Sequence, residues 1–317
     1  MNAVLIINPV SGDAVPNERK VDDIRKILVG GGLTLDVAFT SEEKPAGILA
    51  KEAVVRRVPL ILVGGGDGTV SQVATELVFQ QATLGIIPLG TFNNIARSLA
   101  IPDSIEGACR VILDGRDREI DVGCANGEQI FFEAAGAGLD AALFPAGEQI
   151  KGGRWSHLLE VARITAEFQE QVFTITLDRP VHDAIPEQQR KRYRGHEMEG
   201  QTIRVRALLV AVANGPYYGG GFTISPGSRM SDGFLTVNVY RRFTKLELIR
   251  HFWSISHGKF QYSPKVRSFS AEEIELSTDS PIPVHVDGCP AGETPLKLRA
   301  VPRAVRVRSL NELDVVV

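Results

Sequence analysis

Cysteine is scarce in this chain and poorly spaced for chemistry. Cys109, Cys124 and Cys289 are far apart, odd in number and form no C-x-x-C pair, which excludes a disulfide framework or a zinc ribbon and fits a reducing compartment. Positive charge is also short. The formal net charge is -3, whereas a nucleic-acid binder carries a basic excess to neutralise phosphates; the expected partner is a small molecule or a lipid, and not a nucleic acid. Long apolar runs are missing as well. None approaches the roughly 20 residues that cross a bilayer, and the apolar start over 1–7 halts at Asn8-Pro9, too soon for a signal peptide. The expectation is a cytoplasmic protein with no transmembrane segment, whose contact with any membrane is peripheral. Repeats and low-complexity tracts are absent too, and a homodimer is compatible with the sequence.

What is present reads as two domains, because 317 residues exceed what one hydrophobic core usually serves. Over 1–121, short apolar runs at 3–7, 33–39, 59–63 and 84–88 alternate with helical spacing. Val21, Ile24, Ile27 and Leu28 mark one helix, Pro45 suits the first turn of a second, and a third is expected over 70–79. A helix is also expected after the fourth strand. This is α/β grammar: a doubly wound parallel sheet whose ligands bind at the carboxyl ends of the strands. Beyond Asp121 strands follow one another at 129–135, 172–177, 202–213 and 234–240, with short ones from 266 onward. A mainly antiparallel β domain is therefore expected over 122–302, interrupted by helices at 155–169 and 245–257, with 303–317 as a candidate to return to the first domain. The polar segment 181–200, with Arg190, Lys191, Arg192 and Arg194, reads either as a solvated hairpin loop or as a patch for anionic headgroups.

Three strand ends carry the chemistry. After the third strand comes Gly64-Gly65-Gly66-Asp67-Gly68-Thr69-Val70. Glycines there permit positive φ and bring backbone N–H groups close to a ligand, and the following helix aims its dipole at the same spot. An anion, foremost phosphate, suits such a loop. The plainer alternative is a glycine turn in which Asp67 or Thr69 caps a helix. The loop is neither G-x-G-x-x-G nor a lysine-bearing Walker loop. A second loop, Gly90-Thr91-Phe92-Asn93-Asn94, follows the fourth strand, and Asn8-Pro9-Val10-Ser11-Gly12 ends the first. Two adjacent strand ends of this composition favour one polyphosphate cradle over two unrelated turns.

These three pieces, in this order, resemble the catalytic domain of the diacylglycerol kinase, sphingosine kinase and bacterial lipid kinase family, whose pattern is N-P-x-S-G, G-G-G-D-G-T, then P-x-G-T-x-N-D-x-A-R. The likeness continues through Asn214-Gly215 with Gly219-Gly220-Gly221, Ser231-Asp232-Gly233-Phe234, Val286-Asp287-Gly288 and a terminal strand at 304–308. It implies an NAD kinase/diacylglycerol kinase-like fold and an ATP-dependent lipid kinase that uses Mg2+. It also implies nucleotide contacts by Asn8, Ser11, Gly12, Thr40, Gly64 to Val70, Gly90, Thr91 and Asn93. By the same resemblance Asp287 is the general base for the lipid hydroxyl, and Asp232 with the carbonyls of Arg229 and Phe234 is a structural magnesium site. Read without the resemblance, Asp287 is an acid opening an Asp-Gly turn. His285, two residues earlier on the same face of its strand, reads as a surface neighbour.

Two departures bear on mechanism. Asn94 stands where the family has Asp, and Cys289 follows Asp287-Gly288 where it has Glu. Both replacements remove anionic oxygens suited to magnesium, leaving Asp67 as the expected metal ligand. Arg97 reads equally as a phosphate contact or as a local ion pair, and Tyr217, Tyr218 and Phe222 as a lipid entrance or as packing. The alternatives are an NAD kinase-like enzyme and a non-catalytic nucleotide-binding relative.

Overall fold

The computed structural model describes residues 1–9, 17–139, 141, 163, 167–178, 202–256, 263 and 265–310. The helix expected at 155–169 falls almost wholly outside them, and the basic segment 181–200, Ser11 and Gly12 lie outside altogether. Two compact units divide the chain: Met1–Val122 with Arg229–Asp232 and Pro302–Val317, and Gly123–Ser228 with Gly233–Val301.

The first unit runs β1 (Asn2–Ile7), α1 (Asn17–Gly30), β2 (Thr34–Phe39), α2 (Ala46–Val55), β3 (Leu60–Gly65), α3 (Asp67–Glu76), β4 (Thr83–Pro88), α4 (Asn94–Ser98) and α5 (Ile105–Asp114). β1 pairs in parallel with both β2 and β3, and β3 with β4. The strand order 2-1-3-4 therefore reverses between β1 and β3, and this is the crevice where doubly wound sheets receive ligands. β3 and β4 are buried along their whole length, which explains why they read as continuous apolar runs. α1 packs with α5 and α2 with α3. α3 starts at Asp67, three residues before the apolar periodicity begins, because Gly66 serves as its N-cap. One helix was expected after β4 and two are found. Ala100 at φ 53° and Pro102 end the first helical stretch, and Ser104 caps the second by accepting from Gly107 N.

The second unit has two main antiparallel sheets and one two-stranded antiparallel ribbon, Tyr217–Tyr218 with Phe222–Thr223. Its strands are β5 (Arg116–Ala125, entering from the first unit), β6 (Gln129–Phe131), β7 (Ala134–Gly138), β8 (Gln171–Asp178), β9 (Thr202–Ala207), β10 (Leu209–Ala213), β11 (Tyr217–Tyr218), β12 (Phe222–Thr223) and β13 (Leu235–Tyr240). After helix α6 (Lys245–Ser256) come β14 (Val266–Ala271), β15 (Glu273–Thr278), β16 (Pro283–Val286), β17 (Cys289–Glu293) and β18 (Leu296–Ser309). One sheet has the order β14-β13-β10-β7-β16-β17; the other joins β9, β8, β15 and the first half of β18. Phe173, Ile175, Ile274 and Leu298 from one meet Ala135, Val210, Val212 and Val237 from the other in a single buried cluster, the core of a sandwich. The second half of β18 returns to the first unit and pairs in parallel with β4 at Arg306 and Val307.

Two expected strands are each two strands. The run 202–213 divides at Leu208, and its halves belong to different sheets. The run 129–135 divides at Phe132-Glu133, whose N–H groups serve a carboxylate instead of a ladder. Among the described residues no helix is long and apolar enough to cross a membrane. Phe173 is fully buried at the centre of the sandwich. Phe173→Ala should cost about 3–5 kcal/mol, measured as a lower urea midpoint for the transition that involves the second unit.

Candidate active site

In the first unit, three loops meet at the carboxyl ends of β1, β3 and β4. Asn8 donates its backbone N–H to the Gly64 carbonyl and its Nδ2 to Thr69 Oγ1 at 3.3 Å. A Cβ on Gly90 would come within 2.4 Å of Gly66 Cα, so the backbones of the two glycine loops lie against each other and exclude side chains at the contact. Gly65 is held to the same standard by Thr69, whose side-chain atoms would lie 2.7–2.9 Å from an added Cβ. The second loop is closed by Asn93, which accepts from Gly90 N at 2.9 Å and donates to Gly90 O at 3.1 Å. Asn93 is left-handed, φ 51° and ψ 43°, a conformation its short amide tolerates.

Asp67 is not the cap of its own helix. Its carboxylate accepts from Ile95 N at 3.0 Å and so anchors the start of α4 in the neighbouring loop. Burial holds the Asp67 carboxyl above the usual carboxylate range, opposed by backbone N–H groups of Ile95, Asn94 and Asn93. Asn94 is buried with its N–H turned to that carboxylate. An acid in its place would bring a second negative charge into the same desolvated spot. Asn8, Thr40, Ser41, Glu42, Thr69 and Gln72 line a cavity of about 280 Å³ beside these loops. Val70 is buried beneath, Thr91 is exposed, and Gly68 has no neighbour that a methyl would strike. Arg97 is half-buried in the last turn of α4, where a cation suits the helix C-terminus.

In the second unit, Asp287 and Gly288 have φ 45° and 78° and link β16 to β17 by a two-residue turn, with Val286 paired to Cys289. Positive φ at both central positions is the type I′ hairpin geometry that Asp-Gly favours. The turn does not leave the carboxylate in solvent. Its Oδ1 accepts from Glu133 N and Ala134 N at 2.9 and 3.0 Å and its Oδ2 from Phe132 N at 2.8 Å, while Asp287 N returns a bond to Ala134 O. Burial pushes the Asp287 carboxyl up to about 6, against the lowering effect of those three N–H groups and of His285. An ionised carboxyl offers about four acceptor positions, so Oδ2 keeps one for another donor.

His285 is buried, which overturns its placement as a surface neighbour. Its Nε2 lies 3.0 Å from the Tyr218 hydroxyl, and the two rings stack. Both faces of β16 are thus covered, and alternation alone could not reveal that. Tyr217 and Tyr218 are buried, which is the packing alternative for them, while Phe222 is half-buried. Cys289 is exposed. Asp232 lies exposed in the turn before β13, with half-buried Arg229 preceding it; Phe234, also half-buried, follows Gly233, where the second unit resumes. Sequence reasoning missed Glu133. It is buried, gives its N–H to Asp287, takes Asn214 N and Gly215 N on its carbonyl and Gly219 N on Oε2 at 3.1 Å. A lone acid inside the apolar run Ile130 to Ala135 was the available signal.

Residues 2–125 match the diacylglycerol kinase catalytic domain, and residues 136–309 match the YegS C-terminal NAD kinase beta sandwich-like domain. The chain belongs to this family of diacylglycerol kinases and YegS-like lipid kinases, and it is a kinase. Among its relatives is the "Probable lipid kinase YegS-like" of Klebsiella pneumoniae (strain 342), 27% identical with 92% of each chain covered. Another is the "Diacylglycerol kinase" of Staphylococcus haemolyticus (strain JCSC1435), 26% identical over 96% of this chain and 87% of that one. A diacylglycerol kinase crystal structure from Bacillus anthracis str. Sterne shares the fold, with a TM-score of 0.70 at 23% identity, covering 97% of this chain and 96% of that one.

The hydrogen bonds to Asp287 set its first test. Asp287→Ala leaves three buried N–H groups without an acceptor, at about 1–3 kcal/mol each, whereas Asp287→Asn retains a carbonyl oxygen for at least one of them. Denaturant unfolding should therefore rank wild type above Asn and Asn above Ala. Equal midpoints for all three would refute the clamp.

Proposed function

We propose that the protein transfers the γ-phosphate of ATP to a hydroxyl of a diacylglycerol-like lipid. The observation that carries the reading is the backbone contact of Gly66 with Gly90 beside Asn8 and Thr69, a dense set of N–H groups and small polar side chains at the switch point of a doubly wound sheet. The relatives named as diacylglycerol kinases and lipid kinase support the acceptor class.

The chemistry assigned to this chain's residues is positional and electrostatic, as phosphoryl transfer requires. Backbone donors of the glycine loops, with Asn8, Thr40 and Thr69, hold and orient the polyphosphate. The lipid oxygen bonds to the γ-phosphorus, the bond from that phosphorus to the bridging oxygen breaks, ADP leaves, and the hydroxyl proton passes to Asp287 Oδ2. Asp67 fits a role as magnesium ligand. It is a hard oxygen donor whose charged form is disfavoured by burial, a cost that a cation offsets. Among the described residues no group of three or more His, Cys, Asp or Glu gathers into a metal cluster, so phosphate oxygens would complete the shell, as is usual for magnesium. Magnesium bound there would supply charge neutralisation at the phosphates. With Asn94 in place of an acid, the two glycine loops would offer that shell a single carboxylate, Asp67.

Incubation of the full chain with ATP, Mg2+ and a panel of diacylglycerol, monoacylglycerol, sphingosine, ceramide and phosphatidylglycerol should yield one phosphorylated lipid. No product at a sensitivity that detects a diacylglycerol kinase would refute the reading, and phosphorylation of NAD instead would redirect it. Gly90→Ala should weaken binding of a non-hydrolysable ATP analogue by about tenfold or more in calorimetry, corresponding to at least about 1.4 kcal/mol. Asp287 must be ionised to accept a proton, and its carboxyl titrates near 6. The rate should accordingly rise as pH increases through about 6 and level off above it, and Asp287→Asn should abolish transfer while leaving analogue binding intact.

A further inference from the structure

The clamp on Asp287 has two halves. Phe132, Glu133 and Ala134 supply the N–H groups, and β16 carries the carboxylate to them. The β7–β16 ladder joins the halves only as far as Val286 opposite Ala135, with a last bond from Asp287 N to the Ala134 carbonyl. Phe132 and Glu133 lie outside that ladder, in the break between β6 and β7. They need an anchor of their own, since a donor positions a carboxylate only as firmly as its own backbone is held.

The stretch from Asn214 to Gly219 is that anchor. Asn214 Nδ2 donates to the Phe132 carbonyl at 3.1 Å, and Asn214 N and Gly215 N donate to the Glu133 carbonyl at 2.9 and 3.3 Å. The Phe132 carbonyl shares a peptide plane with Glu133 N, and the Glu133 carbonyl shares one with Ala134 N. Each plane is therefore held on one side by this stretch and offers its N–H to Asp287 Oδ1 on the other.

Two side-chain ties complete the hold, one to each half. Gly219 N donates to Glu133 Oε2 at 3.1 Å, and the Tyr218 hydroxyl lies 3.0 Å from Nε2 of His285, two residues before Asp287 on β16. Adjacent residues of the strap thus reach the donor half and the carboxylate half. Glu133, Asn214, Tyr218 and His285 are all buried, where low local dielectric strengthens hydrogen bonds. The chain turns at Gly219, φ 56°, and runs back as β12 with Phe222 paired to Tyr218, so the strap is itself pinned as a hairpin.

We propose that Glu133 and Tyr218 are positioning residues of the phosphoryl transfer: with Gly219 and His285 they strap the two halves of the clamp together and so fix the direction of the Asp287 carboxylate. The inference rests on the kinase reading, in which Asp287 Oδ2 takes the proton of the lipid hydroxyl. Slack in that oxygen lowers the rate of the chemical step and leaves the nucleotide loops of the other unit as they were.

The test is backbone amide exchange of the full chain, read residue by residue by NMR, in wild type, Glu133→Ala, Glu133→Gln and Tyr218→Phe. Glutamine keeps a side-chain oxygen for Gly219 N, and phenylalanine keeps the ring against His285. The amides of Phe132, Glu133 and Ala134 should exchange about tenfold faster in Glu133→Ala and Tyr218→Phe. Those of β8 and β15 should keep their wild-type rates, and Glu133→Gln should recover most of the difference. With ATP, Mg2+ and dispersed dioctanoylglycerol, kcat should fall about tenfold in the two loosened variants while the KM for ATP stays as in wild type. Unchanged exchange at the three amides in both variants, equal acceleration in β8 and β15, or an undiminished kcat beside faster exchange would overturn the proposal. Exchange needs no phosphoryl transfer, so a clamp loosened in the variants, with no lipid phosphorylated by wild type, would mark failure of the kinase reading and not of the strap.

Discussion

Gly66 and Gly90 touch backbone to backbone, and the organisation of the first unit follows from that contact. Two parallel strands stand side by side, and their following loops can share a space only if neither carries a side chain where they meet; a methyl on Gly90 would lie 2.4 Å from Gly66 Cα. The contact brings Asp67 within reach of Ile95 N. α4 has five residues, far below the length at which a helix holds itself together, and it forms because another loop's carboxylate anchors its first turn. Asn8 joins from a third strand through Thr69. The cradle is thus a consequence of parallel pairing plus two glycines.

The same device recurs in the second unit. Asp287 is fixed by three consecutive N–H groups, as Asp67 is fixed by the start of α4. In both, desolvation raises the carboxyl pKa more than the backbone bonds lower it. Such groups are positioned by main chain and stay available to protons or cations, a combination suited to acid-base and metal work. Glu133 links the clamp on Asp287 to the glycine turn at Gly219, tying carboxylate and turn into one local network.

The first unit was legible because its signals are local: apolar runs of strand length and glycines at strand ends. The second was legible as antiparallel but not in detail. Leu208 sits inside a continuous apolar run, and only tertiary pairing makes the chain change sheets there. Phe132-Glu133 breaks a strand because a residue more than 150 positions away, Asp287, takes its N–H groups. His285 alternates with valines like an outward residue, yet both faces of its strand are buried. Gly64 to Thr69 could be found from sequence for a physical reason, the missing Cβ that a close approach demands at Gly64 and Gly65; the positive φ expected of these glycines is not adopted by any of them. The role of Asp287 could not, since Asp-Gly most often means a solvent turn, and only the resemblance to lipid kinases pointed further.

The path of the chain between the units has a consequence for how this protein could have arisen and how it can be dismantled. The first unit is assembled from three separate stretches, Met1–Val122, Arg229–Asp232 and Pro302–Val317, and the second from two, with β18 spending its first half in one and its second half in the other. No single cut, whether by a protease or by a recombination event between genes, releases either unit with all its strands. The two are inherited, exchanged and degraded together, so the paired glycine loops and the clamped Asp287 form one heritable part.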